Sequence, residues 1–97
     1  MNTLEINGKE LPFRFSFIAI RKFSKLTGLG MDQLGTMGAD HILEMLYAGL
    51  YGGCRKNKVD FDLTIEDLEI WLDDNFHKLE SIMEMVAADM TGEESGK

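Results

Sequence analysis

Proline and cysteine are nearly absent from this chain of 97 residues, which contains one of each. The single cysteine, Cys54, cannot form an internal disulfide, and the seven methionines would be exposed to oxidation outside a reducing compartment. No apolar run approaches the roughly 20 residues that a membrane span needs, and the N-terminus lacks the basic-then-apolar order of a secretory signal. We therefore expect a cytoplasmic protein with no membrane partner.

The composition is that of an ordinary soluble protein, with 44% hydrophobic and 28% charged residues. A chain of this length has enough apolar surface for one core and not for two. We expect a single globular domain over residues 1–90 and a polar, frayed tail over residues 91–97.

The net charge of -7 is distributed unevenly. Residues 1–59 contain eight Lys/Arg and five Asp/Glu, whereas residues 60–97 contain two and twelve. Halves of opposite charge could orient copies of the chain head to tail in a homo-oligomer. The same division disfavours a nucleic-acid surface that runs over the whole molecule.

A β-hairpin is predicted over residues 3–15. Polarity alternates on both sides of Asn7-Gly8, a pair that tolerates the positive φ angles of a type I′ turn. Pro12 cannot donate a ladder hydrogen bond, so its nitrogen should face an edge of the hairpin.

Four helices should follow, over about residues 17–27, 40–52, 65–73 and 75–90. Ser16 and Asp40 are expected N-caps, and Thr64 with Asp67 resembles a capping box. Gly28 is expected to end the first helix, and Gly52-Gly53 the second, which leaves a basic loop at 55–58. The second helix is apolar over most of its circumference and should be central. The predicted fold class is α+β, mostly α, with the N-terminal hairpin packed on a bundle of about four helices.

Residues for catalysis or metal binding do not form a convincing constellation. Cys54 has only His41 and His77 as partners, and neither is spaced to act as its base. These three residues also lack the spacing of a zinc site. We expect no catalytic residue, no metal and no cofactor, and therefore no enzyme.

Acidic residues suggest two further sites, and both fail on geometry. The Asp60-Phe61-Asp62 stretch begins like a calcium loop, but Ile65 and Trp71 stand where the loop needs Gly and Glu. Asp73 and Asp74 diverge as sequence neighbours on a helix, so they do not form an acid/base pair.

Partner-binding residues are predicted from helical positions that should face solvent. In the first helix, Ile18 lies among Arg21, Lys22 and Lys25, and in the last two helices Ile70 and Met85 are apolar positions expected outside the core. A basic helix face could also bind DNA or RNA, but no Asn or Gln accompanies these cations to read bases. The sequence therefore favours a protein partner over a nucleic acid.

Residues 4–50 resemble the tail assembly chaperones of long-tailed bacteriophages. The resemblance comprises Ile6-Asn7-Gly8-Lys9, the helix over 17–26 that closes at Thr27-Gly28-Leu29, and Leu-Glu-Met-Leu-Tyr-Ala-Gly-Leu over 43–50. The overall length and the acidic helical second half also suit this family.

The resemblance implies a non-virion protein, encoded by a phage or prophage, that works in the bacterial host cytoplasm during virion morphogenesis. Such a chaperone would bind the tape measure protein and help recruit tail tube protein. Two alternatives remain open. One is a small nucleic-acid-associated regulator that uses the basic face of the first helix, and the other is a bacterial adaptor protein with an unrelated partner.

Overall fold

The computed structural model describes residues 2–30 and 41–91. Two antiparallel strands, β1 (Asn2–Ile6) and β2 (Lys9–Phe13), precede the helices. The helices are α1 (Phe17–Thr27), α2 (Ile42–Asn57), α3 (Ile65–Asp74), a 3₁₀-helix at Phe76–Lys78, and α4 (Leu79–Thr91). The predicted fold class, α+β and mostly α with an N-terminal hairpin, is confirmed. No helix in the described part of the chain is long and apolar enough to cross a membrane.

The hairpin turns at Asn7 and Gly8, as predicted. Their φ angles are 54° and 83°, and Ile6 pairs with Lys9 across the turn. Positive φ at both central positions is what a type I′ turn requires. The ladder ends earlier than the predicted residue 15, because β2 stops at Phe13.

The chain leaves the ladder after Phe13 because the next two backbone N–H groups bond elsewhere. Arg14 N–H donates to the carbonyl of Gly49 in α2 at 3.0 Å. Phe15 N–H donates to Asp89 Oδ2 in α4 at 2.8 Å. These two bonds tie the end of the hairpin to two helices, and the Phe15 side chain is fully buried.

Helix α1 has the predicted bounds. Gly28 ends it with φ 80° and donates its N–H to the carbonyl of Ser24 at 2.7 Å. Ser16 occupies the N-cap position, but its hydroxyl makes no cap hydrogen bond and accepts one from Arg14 Nε at 3.2 Å. The start of α1 is therefore correctly predicted without the cap bond expected there.

The predicted end of the second helix at residue 52 is wrong. Helix α2 continues through Gly52 and Gly53 to Asn57, and Lys58 ends it with φ 59°. The basic stretch 55–58 is therefore the last turn and cap of the helix, where positive charge is favoured by the helix dipole. The prediction that this helix is central is confirmed, since α2 contacts α1, β2, α3 and α4.

The α2 glycines allow close approach of the hairpin. A Cβ on Gly53 would collide with the carbonyl oxygen of Pro12 and lie 2.9 Å from the nitrogen of Phe13. A Cβ on Gly49 would collide with the buried ring of Phe13. Because these glycines have no side chain, the backbone of α2 can pack directly against β2. In the sequence, Gly52-Gly53 instead suggests the end of a helix.

The predicted capping box opens α3. Asp67 N–H donates to Thr64 Oγ1 at 3.1 Å, and Thr64 N–H donates to Asp67 Oδ2 at 3.0 Å. The helix ends where Asn75 Nδ2 donates to the carbonyl of Trp71 at 2.8 Å. A 3₁₀-helix then separates α3 from α4, so the predicted fourth helix does not begin at residue 75 but at Leu79.

One apolar core draws on the hairpin and on all four helices. Its buried residues include Phe13, Phe15 and Phe23 from the N-terminal half, and Trp71 and Ile82 from the C-terminal half. The proposed Asp40 cap and residues 92–97 of the predicted tail lie outside the described residues.

Candidate partner-binding grooves

The interior offers no polar site in the described part of the chain. Among residues 3–30 and 41–90, no polar or charged side chain is buried. Cys54 is buried in the apolar core, and this burial raises the pKa of its thiol, with a weaker opposing effect from Lys9. A raised pKa disfavours the thiolate, so Cys54 is a small apolar core residue. Its candidate partner His41 packs edge-on against Phe23, with the ring centroids 6.0 Å apart.

The acidic stretches do not assemble a metal site either. Asp60 and Asp62 are exposed, as are Asp73 and Asp74. No group of three or more His, Cys, Asp or Glu side chains could hold a metal ion within residues 2–30 and 41–91. The candidate functional sites of the described chain are therefore surface grooves.

The first surface is a groove between α1 and the C-terminal part of α2, which we call the basic groove. Its volume is about 350 Å³. The lining residues are Phe17, Ile18, Arg21, Lys22, Lys25, Tyr51 and Arg55. Four of these seven are cationic and none is acidic, so the groove is a local basic surface on a chain of net charge -7.

Helical spacing places these side chains together. Ile18, Arg21, Lys22 and Lys25 follow the i, i+3, i+4, i+7 pattern that forms one stripe along α1. Tyr51 and Arg55 are an i, i+4 pair on α2, and Arg55 is helical only because α2 continues beyond Gly53. The extension of α2 that the sequence did not predict therefore completes the groove.

Lys22 is held by two tyrosine rings on α2. Its Nζ lies 4.7 Å from the ring centroid of Tyr51 and 5.8 Å from that of Tyr47. Both distances are within the range of cation–π attraction. The lysine is half-buried, while Arg21, Lys25 and Arg55 are exposed at the surface. One cation of the groove is thus held by two rings of the facing helix, and three extend outward.

The second surface lies where α3 meets α4, and we call it the acidic groove. Its volume is about 480 Å³. The lining residues are Ile42, Glu69, Ile70, Leu72, Asp73, Phe76 and Leu79. Two of them, Ile70 and Phe76, are exceptionally exposed for large hydrophobic residues, at 66% and 71%. This groove combines an apolar surface with two carboxylates and contains no cation among its lining residues.

The structure brings together most of the predicted partner-binding residues. Ile18, Arg21, Lys22 and Lys25 share the basic groove, and Ile70 lines the acidic groove. The prediction that Met85 faces solvent is wrong, because Met85 is half-buried and packs against the core. Met85 follows the buried Ile82 by three positions, so it belongs to the same side of α4.

Sequence reasoning missed the aromatic residues of both grooves. Phe17 is 61% exposed at the start of α1, and Tyr51 comes from the facing helix. Phe76 falls within the predicted fourth helix at 75–90, but it lies in the 3₁₀-helix and points away from the core. The i, i+4 spacing of Tyr51 and Arg55 was a usable signal that the early predicted end of the helix concealed.

Comparison with known proteins gives no match. No family model matches this chain, no curated protein matches it, and no solved structure matches its fold.

Proposed function

We propose that this protein is a tail assembly chaperone of long-tailed bacteriophages. It would bind helical segments of the tape measure protein in the host cytoplasm and help recruit tail tube subunits. The proposal is supported by the resemblance of residues 4–50 and by the basic groove. The observation that carries it is that four predicted contact residues line one groove with the exposed Phe17.

The physical requirements of such a chaperone agree with this groove. A tape measure protein exposes apolar helical faces over a great length before the tube encloses it. A chaperone must bind many such segments weakly enough to be displaced. A shallow groove with an exposed aromatic ring and flexible cations can accept related helices at modest affinity.

Affinity capture tests this proposal. Tagged full-length protein is incubated with nuclease-treated lysate of the phage-infected native host, and retained proteins are identified by mass spectrometry. We expect enrichment of a very long helical protein or of a tube-forming subunit. Lys25→Glu should reduce this enrichment, whereas Lys56→Glu, an exposed lysine of α2 outside the basic groove, should not.

A nucleic-acid-associated regulator is the second candidate. The observation in its favour is that the basic groove combines four cations with two aromatic residues, the composition of grooves that bind single strands. This candidate predicts that retained material is lost on nuclease treatment and that binding falls steeply with salt. That result would replace the chaperone with the regulator. Capture of an unrelated bacterial protein would instead favour the adaptor.

The opposite charges of the two grooves also support the predicted self-association. The basic groove of one copy could approach the acidic groove of the next in a head-to-tail arrangement. Sedimentation at about 50 mM and about 500 mM salt tests this, because the longer screening length at low salt favours such contacts. A molar mass that does not change with salt or protein concentration would contradict it.

A further inference from the structure

We propose that the basic groove binds an acidic amphipathic helix. Carboxylates of the partner would contact the guanidinium and ammonium groups of Arg21, Lys25 and Arg55. An apolar side chain of the partner would pack against Phe17 and Ile18. The inference rests on the proposed function for the identity of the partner and names the chemistry of the bound segment.

Charge complementarity is the first reason. Three cations extend outward around a groove that contains no acidic residue. Guanidinium groups bind carboxylates through paired hydrogen bonds, and Arg21 and Arg55 come from opposite sides of the groove. A partner with carboxylates on one helical face would match these cations, whereas a basic helix would be repelled.

The exposed apolar surface is the second reason. Phe17 is 61% exposed, and Ile18 follows it on the rim of the same groove. Burial of an exposed aromatic ring against a partner removes apolar surface from water and favours binding. A purely polar anion would leave this surface uncovered, so the partner should be amphipathic.

The length of the stripe is the third reason. From Ile18 to Lys25 the side chains cover two turns of α1, about 10 Å along the helix axis. Two turns of a partner helix have the same length and present carboxylates at i and i+4 on one face. The groove thus fits a short helical segment.

The position of Lys22 over two tyrosine rings disfavours nucleic acid as the partner of the basic groove. Its ammonium lies over the Tyr51 ring at 4.7 Å and near the Tyr47 ring at 5.8 Å. A base that stacked on this face of Tyr51 would have to displace the cation. Phe17 is then the one exposed ring among the lining residues, whereas single-strand binding uses successive stacked bases. Carboxylates require no such displacement.

Amide chemical shifts of the ¹⁵N-labelled full chain measure the binding directly. The probe is a synthetic peptide of about 18 residues, made of Leu, Ala and Glu, with Leu and Glu spaced to form an amphipathic helix. The first control peptide has Gln in place of every Glu. The second control is a thymidine oligonucleotide of equal length.

We expect the Glu peptide to shift amides over residues 17–25 and 51–55. The Gln peptide should bind at least about tenfold more weakly, because it lacks the charges. Phe17→Ser should weaken binding of the Glu peptide about tenfold, as expected for an aromatic anchor. The matched variant Phe76→Ser removes an exposed ring from the acidic groove and should change the affinity less than about twofold.

Several outcomes would overturn the inference. These are the absence of shifts with the Glu peptide, equal binding of the Gln peptide, tighter binding of the oligonucleotide, or shifts confined to residues 69–79. If the Glu peptide binds but the lysate yields no tape measure protein, the groove chemistry stands and the proposed function fails. If the lysate yields that protein but the peptide does not bind, the function stands and this inference fails.

Discussion

The two grooves contain similar apolar residues and opposite charges. Each has one exposed phenylalanine with an isoleucine in the same groove, Phe17 with Ile18 and Phe76 with Ile70. Cations surround the first pair and carboxylates the second. The basic groove lies on two packed helices, whereas the acidic groove lies at the 3₁₀-helix between α3 and α4.

The two phenylalanines are exposed for different structural reasons. Phe17 begins an uninterrupted helix, and its neighbours are fixed by the packing of α1 on α2. Phe76 is exposed because α3 ends at Asp74 and α4 starts only at Leu79. We infer that the basic groove is the better preorganised surface, and preorganisation reduces the entropic cost of binding.

The largest effect is expected from a methyl group between α2 and the hairpin. Gly53→Ala places a Cβ against the backbone of Pro12 and should reduce the free energy of unfolding by about 3 kcal/mol. Gly8→Ala has free space and only a positive φ to accommodate, so about 1 kcal/mol is expected. Urea denaturation followed by circular dichroism measures both, and equal losses would contradict the close approach of helix and strand.

The second largest effect is expected at the hydrogen bond between Phe15 N–H and Asp89, which joins the N-terminal and C-terminal halves of the chain. Asp89→Ala leaves the N–H of the buried residue Phe15 without its acceptor and should cost about 2 kcal/mol of unfolding free energy. Asp89→Asn retains an oxygen that can accept this bond and should cost clearly less. Thermal or urea unfolding measures the stability of both variants. Equal losses would contradict the hydrogen bond between Phe15 N–H and the Asp89 side chain.

A smaller effect should distinguish the helix starts of the two halves. Thr64→Ala removes the capping box of α3 and should cost about 1 kcal/mol in the free energy of unfolding. Ser16→Ala removes a hydroxyl that makes no cap bond in α1, so the loss should be less than half as large. Equal losses in urea denaturation would indicate that α1 is capped by its serine after all.

Substitution of the groove phenylalanines should have the smallest effect on folding. Phe17→Ser and Phe76→Ser should each change the unfolding free energy by less than about 0.5 kcal/mol, because both rings are mostly exposed. The same urea measurement checks this. A loss well above that value for Phe17→Ser would show that this ring supports the fold and would weaken its assignment to partner binding.

Local sequence patterns predicted the elements whose causes are local. Asn7-Gly8 specifies the hairpin, and Thr64 with Asp67 specifies the start of α3. Gly52-Gly53 was misread because a glycine that ends a helix and a glycine that admits a neighbouring strand look alike in sequence. Only the tertiary position of β2 distinguishes the two roles.

The basic groove was likewise predicted only where its cause is local. The α1 half of the basic groove was predicted from one helical stripe, since periodicity places Ile18 beside the cations. The other half comes from Tyr51 and Arg55, whose position depends on the packing of α2 against α1. Periodicity within one helix contains no information on which face of a second helix lies opposite.

Site-specific photo-crosslinking in the native host tests the central claim most directly, that the basic groove binds the partner. Benzoylphenylalanine replaces Phe17 in one variant and Phe76 in a matched variant, and crosslinked proteins are identified by mass spectrometry during phage assembly. We expect the position 17 variant to crosslink to a very long helical protein through a segment rich in Asp and Glu. Crosslinks of that protein to position 76 alone, or crosslinks from position 17 to nucleic acid, would contradict the claim.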